Sequence, residues 1–171
     1  FGFSTSLPVL LIIGGSKGAQ TLNKVVFDHL SDLLDFTQIL HLTGSLDIET
    51  AQALKTQLPA VLAERYQPYS YLHEEISSAF SCADLALSRA GASTLGELPL
   101  FGLPAILVPY PFAWRYQKVN ADYLAAQNAA LVIENDRLTD KLVTTVKELF
   151  VNREQLTNMQ KNMKSLAHPQ A

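Results

Sequence analysis

The chain contains one cysteine, one tryptophan and two methionines in 171 residues. A lone Cys82 excludes an internal disulfide and fits a reducing compartment. Its side chain reads as a small apolar residue rather than a nucleophile. Charge is also scarce, at 17% of residues with a net of −3. There is no basic run, so nothing points to nucleic acid. The longest apolar runs, such as Leu7 to Ile13, are too short to span a bilayer. No signal-peptide pattern is present, and the chain opens on Phe1 instead of Met. The expectation is a piece of a longer protein. No acid or histidine grouping has metal-ligand spacing, so no protein-bound metal is expected. Of the scattered histidines, His41 ends a strand and reads as structural. His29 and His73 belong to helix faces, and His168 to a tail.

What remains is a chain that is 48% hydrophobic and long enough for one full-sized core. Phe1 to Pro8 reads as a linker or tail, followed by one domain over residues 9–171. Val9 to Ile13 is a continuous apolar run, the mark of a strand buried on both faces. A glycine-rich turn, Gly14-Gly15-Ser16-Lys17-Gly18-Ala19, follows. Leu22, Val25, Val26, His29, Leu30 and Leu33 then recur at helical spacing. Further strands are expected over Phe36–Leu42, Tyr66–Tyr71, Asp84–Ser88, Pro104–Val108 and Ala130–Ile133. Helices are expected between them: Leu46–Glu64, interrupted near Pro59; one through Ile76, Ala79 and Phe80; and Arg115–Gln127. Thr139–Phe150 and Arg153–Ala167 close the chain. Thr139–Phe150 is amphipathic, and packing on the sheet is the reading preferred over a membrane surface. This alternation means parallel β-α-β units, hence an α/β fold with an open parallel sheet and helices on both faces. Ligands bind such sheets beyond the carboxyl ends of the strands.

Glycines, hydroxyls, an acid and amides all fall in the loops at that rim. The most informative stretch is Ser88-Arg89-Ala90-Gly91-Ala92-Ser93-Thr94-Leu95-Gly96-Glu97. A helix that opens in Gly-Ala-Ser-Thr leaves backbone N–H groups uncovered, and such an N-terminus attracts anions. Glu97 lies too far along to cap that helix. An acid beside a phosphate site suits the paired hydroxyls of a ribose; a capped helix with a solvated glutamate is the alternative. The first turn matches neither the dinucleotide pattern G-x-G-x-x-G nor the P-loop.

Together these loops resemble the C-terminal domain of the MurG family of bacterial N-acetylglucosamine transferases. The likeness rests on Gly14–Ala19, His41-Leu42-Thr43-Gly44, Ser88–Glu97, and Leu103–Tyr110 continuing to Gln117 and Asn120-Ala121. It implies a GT-B glycosyltransferase of two Rossmann-like domains, of which this chain is the donor-binding half. The N-terminal domain, with the acceptor site and the catalytic base, is expected to lie outside the chain. By position, Ser16 on its turn with Gly15 would contact the donor diphosphate, and Leu72 would offer backbone groups to uracil. Ala92, Ser93 and Thr94, continuing through Leu95 and Gly96, would meet the diphosphate. Glu97 would hold the ribose, Gln117 the sugar hydroxyls, and Asn120 would support that loop. The implied reaction moves N-acetylglucosamine from UDP-N-acetylglucosamine to a lipid-linked muramyl-pentapeptide, with inversion, at the inner face of the cytoplasmic membrane. No cofactor beyond this substrate is implied.

The sequence departs from the family pattern at Lys17, where Gln is usual, and at Tyr116, where some members have a second Gln. Lys17 is open between a diphosphate role and a solvated one. Gly96 is an unfavourable residue inside a helix, and close approach of a ligand or partner domain is one reason for it. Three other readings stand beside the transferase. One is a UDP-sugar-binding subunit that acts only with a partner chain. A second is a nicotinamide-dependent oxidoreductase domain, against which the missing G-x-G-x-x-G counts. The third is a scaffold without a site.

Overall fold

The computed structural model describes residues 1–14, 19–113 and 116–167. The chain forms two compact units, Phe1–Asp84 and Leu85–Ala171. Each is built of parallel strands joined through helices.

In the first unit β1 (Val9–Ile13) leads through α1 (Gln20–Asp28) and α2 (Leu30–Leu34) to β2 (Gln38–Leu42). Then come α3 (Ile48–Gln57), α4 (Ala60–Glu64), β3 (Tyr66–Tyr69) and α5 (Ile76–Cys82). The strands lie in the order β3-β2-β1. Val9 pairs with Gln38, and Ile39 with Tyr66, both in parallel register. Every residue of β2 is buried, as is β1 up to Ile12. This is why these strands read as unbroken apolar runs rather than alternating ones. The start of β1 is pinned by Asp84: its carboxylate accepts the Val9 N–H at 2.8 Å, and its own N–H donates to the Val9 carbonyl at 2.9 Å. Gln38 ties the opening segment down, accepting the Ser4 N–H at 2.7 Å and donating to the Ser4 and Leu7 carbonyls.

Several element ends fall a residue or two from the sequence expectation, and two of these differences have a clear cause. The first helix is broken at His29, whose φ of −113° and ψ of 16° leave the helical region. Its N–H closes α1 on Val25 and Val26, while its carbonyl accepts the Leu33 N–H that opens α2. The second strand starts at Gln38 rather than Phe36. Phe36 and Thr37 both turn their N–H groups onto the Leu33 carbonyl, and the Thr37 hydroxyl donates there too, at 2.9 Å.

In the second unit β4 (Leu85–Ser88), α6 (Ala92–Phe101), β5 (Ala105–Leu107), α7 (Tyr116–Ala126) and β6 (Ala130–Val132) alternate. A single 3-10 turn at Asn135–Arg137 precedes α8 (Leu138–Val151) and α9 (Arg153–Ser165). The strand order is β4-β5-β6, all parallel. The amphipathic pattern of α8 buries Leu138, Leu142, Val146, Leu149 and Phe150, and α9 packs beside it. Helix α6 ends on Gly102 at φ 62°, with the Leu103 N–H returning to Leu98 and the Gly102 N–H to Pro99. That left-handed residue stops the helix and turns the chain into β5.

A Cβ at Gly102 would also sit 3.2 Å from the Lys164 side chain of α9. Gly102→Ala is therefore expected to destabilise the chain by about 1 kcal/mol, from the left-handed backbone alone, and more if Lys164 cannot move. Urea unfolding followed by circular dichroism checks this; an unchanged midpoint would show that the backbone there relaxes freely.

Candidate functional site

The rim of the second unit is assembled where β4 and β5 end. Ser88 is the last residue of β4, and its hydroxyl donates to the Arg89 carbonyl at 2.8 Å. Thr94 is buried on the first turn of α6 and donates its hydroxyl to the same carbonyl at 2.9 Å. The turn between strand and helix is thus closed from both sides. This commits the Thr94 hydroxyl proton inward, leaving the exposed Ala92 and Ser93 as the outward-facing part of the pattern. Gly91 precedes the helix with φ −69° and ψ 173°, and no side chain caps it. The N–H of Thr94 reaches back to the Gly91 carbonyl at 3.1 Å. Ala92 and Ser93 are exposed at the positive end of the helix dipole.

Behind this turn stands Arg89, only 7% exposed. Its Nη1 donates to the Val108 carbonyl at 3.0 Å and to Asn135 Oδ1 at 2.8 Å. The guanidinium lies 5.4 Å from the centre of the Tyr110 ring. Burial pulls its pKa down, and the nearby Tyr110 opposes that shift. Arg89 thereby joins the end of β4 to the loop after β5 and to the turn after β6. Arg89 lies within the stretch Ser88–Glu97, but no role for it follows from the sequence alone. The available signal was a large cation placed at a strand end among small residues.

Asn120 of α7 donates to the Ala90 carbonyl at 2.9 Å, fastening α7 to the β4–α6 turn. Gln117 lies one helical turn earlier and accepts the Tyr110 N–H through Oε1 at 2.8 Å. Its Nε2 is the end that points away from this bond and can donate to a ligand hydroxyl. Residues 92–97, Gln117 and Asn120 are therefore gathered on one rim, linked through Ala90 and Tyr110.

Glu97 and Gly96 sit on the exposed side of α6. Among the described residues Glu97 has no hydrogen-bond partner, and partial desolvation holds its carboxyl above the usual range. Among the described residues, a Cβ added at Gly96 or at Gly91 would meet no atom within 4 Å, so their packing gives no reason for glycine at either place. Leu95 is half-buried on the same helix.

In the first unit, Leu72 is half-buried on the loop that follows β3. Gly15, Ser16 and Lys17 lie outside the described residues. Tyr116 is the first residue of α7 and is exposed. His41 is buried completely, which lowers its pKa to about 3 and keeps it neutral. Cys82 donates its thiol to the Ala79 carbonyl, and burial raises its pKa. Among the described residues no three of His, Cys, Asp and Glu are grouped as metal ligands. None of the described helices is long and apolar enough to cross a membrane.

Comparison with known proteins agrees with this architecture. Residues 9–171 match the model of the glycosyltransferase family 28 C-terminal domain. A UDP-N-acetylglucosamine–N-acetylmuramyl-(pentapeptide) pyrophosphoryl-undecaprenol N-acetylglucosamine transferase from Desulforamulus reducens is 39% identical over 173 residues, covering 95% of this chain and 45% of its own. The enzyme of the same name from Roseiflexus sp. is 37% identical over 191 residues, covering 100% of this chain and 43% of its own. The chain thus spans less than half the length of these curated relatives. The crystal structure of Acinetobacter baumannii MurG superposes with a TM-score of 0.81 at 31% identity, over 99% of this chain and 48% of that one. The Rossmann-like parallel α/β fold expected from the strand–helix alternation is the one found. With the family model matched along nearly its whole length, the chain belongs to the glycosyltransferase family 28 C-terminal domain family.

Proposed function

We propose that this chain is the donor-binding half of an inverting glycosyltransferase. The full protein moves N-acetylglucosamine from UDP-N-acetylglucosamine to a lipid-linked muramyl-pentapeptide, at the inner face of the cytoplasmic membrane. The observation that carries the reading is the exposed face of α6. It combines an uncapped N-terminus, a glycine at position 96 where an added Cβ would stand clear of the described residues, and a carboxylate with no hydrogen-bond partner among them. The activity for which the curated relatives are named supplies the identity of the sugar nucleotide and of the acceptor.

On this reading the N–H groups of Ala92 and Ser93 meet the diphosphate, and Thr94, whose own N–H reaches back to Gly91, closes the turn that presents them. Leu95 and Gly96 let it lie close against the helix, and Glu97 accepts from both ribose hydroxyls. The Gln117 amide donates to the sugar, and Asn120 keeps α7 in register with the β4–α6 turn. Leu72, Gly15 and Ser16 are assigned to the uracil and the diphosphate by resemblance alone. As the acceptor hydroxyl attacks the anomeric carbon, the bond to the diphosphate oxygen breaks and negative charge builds on the leaving group. N–H groups already aimed there stabilise that charge without reorganising. The acceptor site and the general base belong to the other half of the protein.

Isothermal calorimetry with UDP-N-acetylglucosamine tests this directly. Glu97→Ala is expected to weaken binding by about tenfold to a hundredfold, the loss of charge-assisted bonds to two hydroxyls. Wild-type affinity in that variant would remove the ribose from Glu97.

Gly96 makes a two-sided prediction. Gly96→Ala should raise the stability of the free chain by about 1 kcal/mol, since alanine favours the helix and nothing clashes. The same change should weaken the donor, because the added methyl occupies the face on which it lies. A variant that gains stability and keeps its affinity would place the ligand elsewhere.

The pH dependence follows from Glu97. Only the ionised carboxylate is a pure acceptor, so a proton competes with the ribose. Because desolvation raises the Glu97 pKa, affinity should fall as pH drops through that raised value and be full above it. The sugar nucleotide has no terminal phosphate titrating there, so Glu97→Gln should bind weakly and with a flat profile. Equal slopes in wild type and Glu97→Gln would sink the assignment.

A further inference from the structure

The first unit contains a buried polar chain to which neither the family match nor the names of the relatives give a role. Its centre is His41 on β2. His41 Nδ1 lies 3.0 Å from the Tyr66 hydroxyl, and Nε2 lies 3.0 Å from Asn23 Oδ1. Asn23 Nδ2 donates to the Thr43 carbonyl at 2.8 Å and to Asp47 Oδ2 at 2.7 Å.

The proton positions follow from the partners. A carbonyl and a carboxylate only accept, so the Asn23 nitrogen must face them and its oxygen must face His41. His41 then has to carry its proton on Nε2. That leaves a lone pair on Nδ1, to which the Tyr66 hydroxyl donates. Complete burial, which keeps the ring neutral, agrees with this single arrangement. Each link fixes the next, and no other orientation satisfies all of them.

The chain leads outward to the rim. Thr43, held by Asn23 through its carbonyl, donates its N–H to the Tyr69 carbonyl at 2.9 Å, and Gly44 donates to the Ser70 carbonyl at 3.1 Å. Gly44 has φ 76°, a conformation that turns the chain away at the end of β2. Tyr69 and Ser70 are the last residues before the loop that carries Leu72. Asn23 itself lies in the first turn of α1, its N–H donating to the Ala19 carbonyl at 2.8 Å.

We propose that His41 is a positioning residue for the uridine end of the donor, acting through Asn23, Thr43 and Gly44 on the backbone that precedes Leu72. The inference rests on the donor-binding reading given above and adds to it a residue that touches no ligand. The Nε2 proton of His41 is the essential feature, since it holds the Asn23 oxygen and so keeps Asn23 Nδ2 seated on Thr43.

Three variants of this chain test it, each used only at temperatures where circular dichroism shows it folded. His41→Leu removes the donor. His41→Gln keeps an amide N–H toward Asn23 and a carbonyl toward Tyr66. Leu142→Ala is a buried core change in the second unit that lowers stability without touching the relay. Calorimetry with UDP is expected to show about a tenfold loss in His41→Leu, equal for UDP-N-acetylglucosamine because the sugar contacts are untouched. His41→Gln should recover most of the affinity, and Leu142→Ala should bind as wild type. Unchanged binding in His41→Leu, or an equal loss in Leu142→Ala, overturns the proposal.

Amide hydrogen exchange at Thr43 and Gly44 reads the same relay without a ligand. Exchange should accelerate in His41→Leu and return toward wild type in His41→Gln; unaltered rates in His41→Leu overturn the relay. If wild-type chain ignores both nucleotides, the donor reading fails. The proposed role of His41 toward uridine falls with it, while the exchange rates still decide whether the relay holds Thr43 and Gly44.

Discussion

The guanidinium of Arg89 is a full charge placed where water hardly reaches, and the rim of the second unit depends on how it is satisfied. Such a group is tolerated in a protein interior only when its donors find acceptors. Here the Val108 carbonyl and Asn135 meet Nη1, and the Tyr110 ring lies against the guanidinium. These partners come from the ends of successive strands. Satisfying the cation therefore draws the β4–α6 turn, the β5–α7 loop and the turn after β6 into one relation. A neutral residue at this place would impose no such demand. The exposed N-terminus of α6 has a fixed direction because the residue just ahead of it cannot be placed anywhere else.

The first unit meets the same requirement by another route. Its rim is set by a relay of neutral side chains from Tyr66 through His41 to Asn23, ending on the charged carboxylate of Asp47. A neutral histidine there accepts at one nitrogen and donates at the other, so the relay has a direction, which a purely apolar core could not give. The contrast with Arg89 has a physical sense. A guanidinium only donates, and it collects carbonyls from several strand ends. An imidazole passes orientation along a line. In both units the polar anchor lies one layer behind the exposed rim, so that loops without regular hydrogen bonding acquire fixed positions.

Much of this was legible in the residues. Val9 to Ile13 was read as a buried strand because an unbroken apolar run fits a parallel sheet, and the strand has those limits. The α6 N-terminus was legible because Gly-Ala-Ser-Thr after Leu85–Leu87 leaves donors uncovered. What escaped the sequence were contacts between residues distant in the chain. Arg89 meets Asn135 across 46 positions, and no local pattern announces that pairing. The break at His29 has no glycine or proline to mark it; helical spacing runs on through Leu30 and Leu33 whether or not the backbone does. Thr94 looked like an outward hydroxyl, but its position on the first turn of α6 puts the side chain against the Arg89 carbonyl. A one-dimensional pattern gives residue types at a rim, and the direction each side chain takes is settled by what lies behind it.

Gly96 shows why these directions matter for function. A helix is weakened by glycine, by about 1 kcal/mol relative to alanine. Nothing among the described residues compensates, since a Cβ there would meet none of them within 4 Å. The neighbouring Glu97 is likewise left without a partner and partly desolvated, which favours its neutral form. Folding alone would select neither feature, as alanine and an outward, fully hydrated acid would both make a better helix. The two unfavourable choices are adjacent, on the turn beyond an uncapped N-terminus. A bound molecule that lies close against the helix, with an anion at its first turn and hydroxyl groups over the second, would relieve both at once. It would fill the space the missing methyl leaves and give the carboxylate the donors it lacks. On the donor-binding reading proposed above, these two unfavourable choices in α6 are the counterpart of a site that its ligand completes.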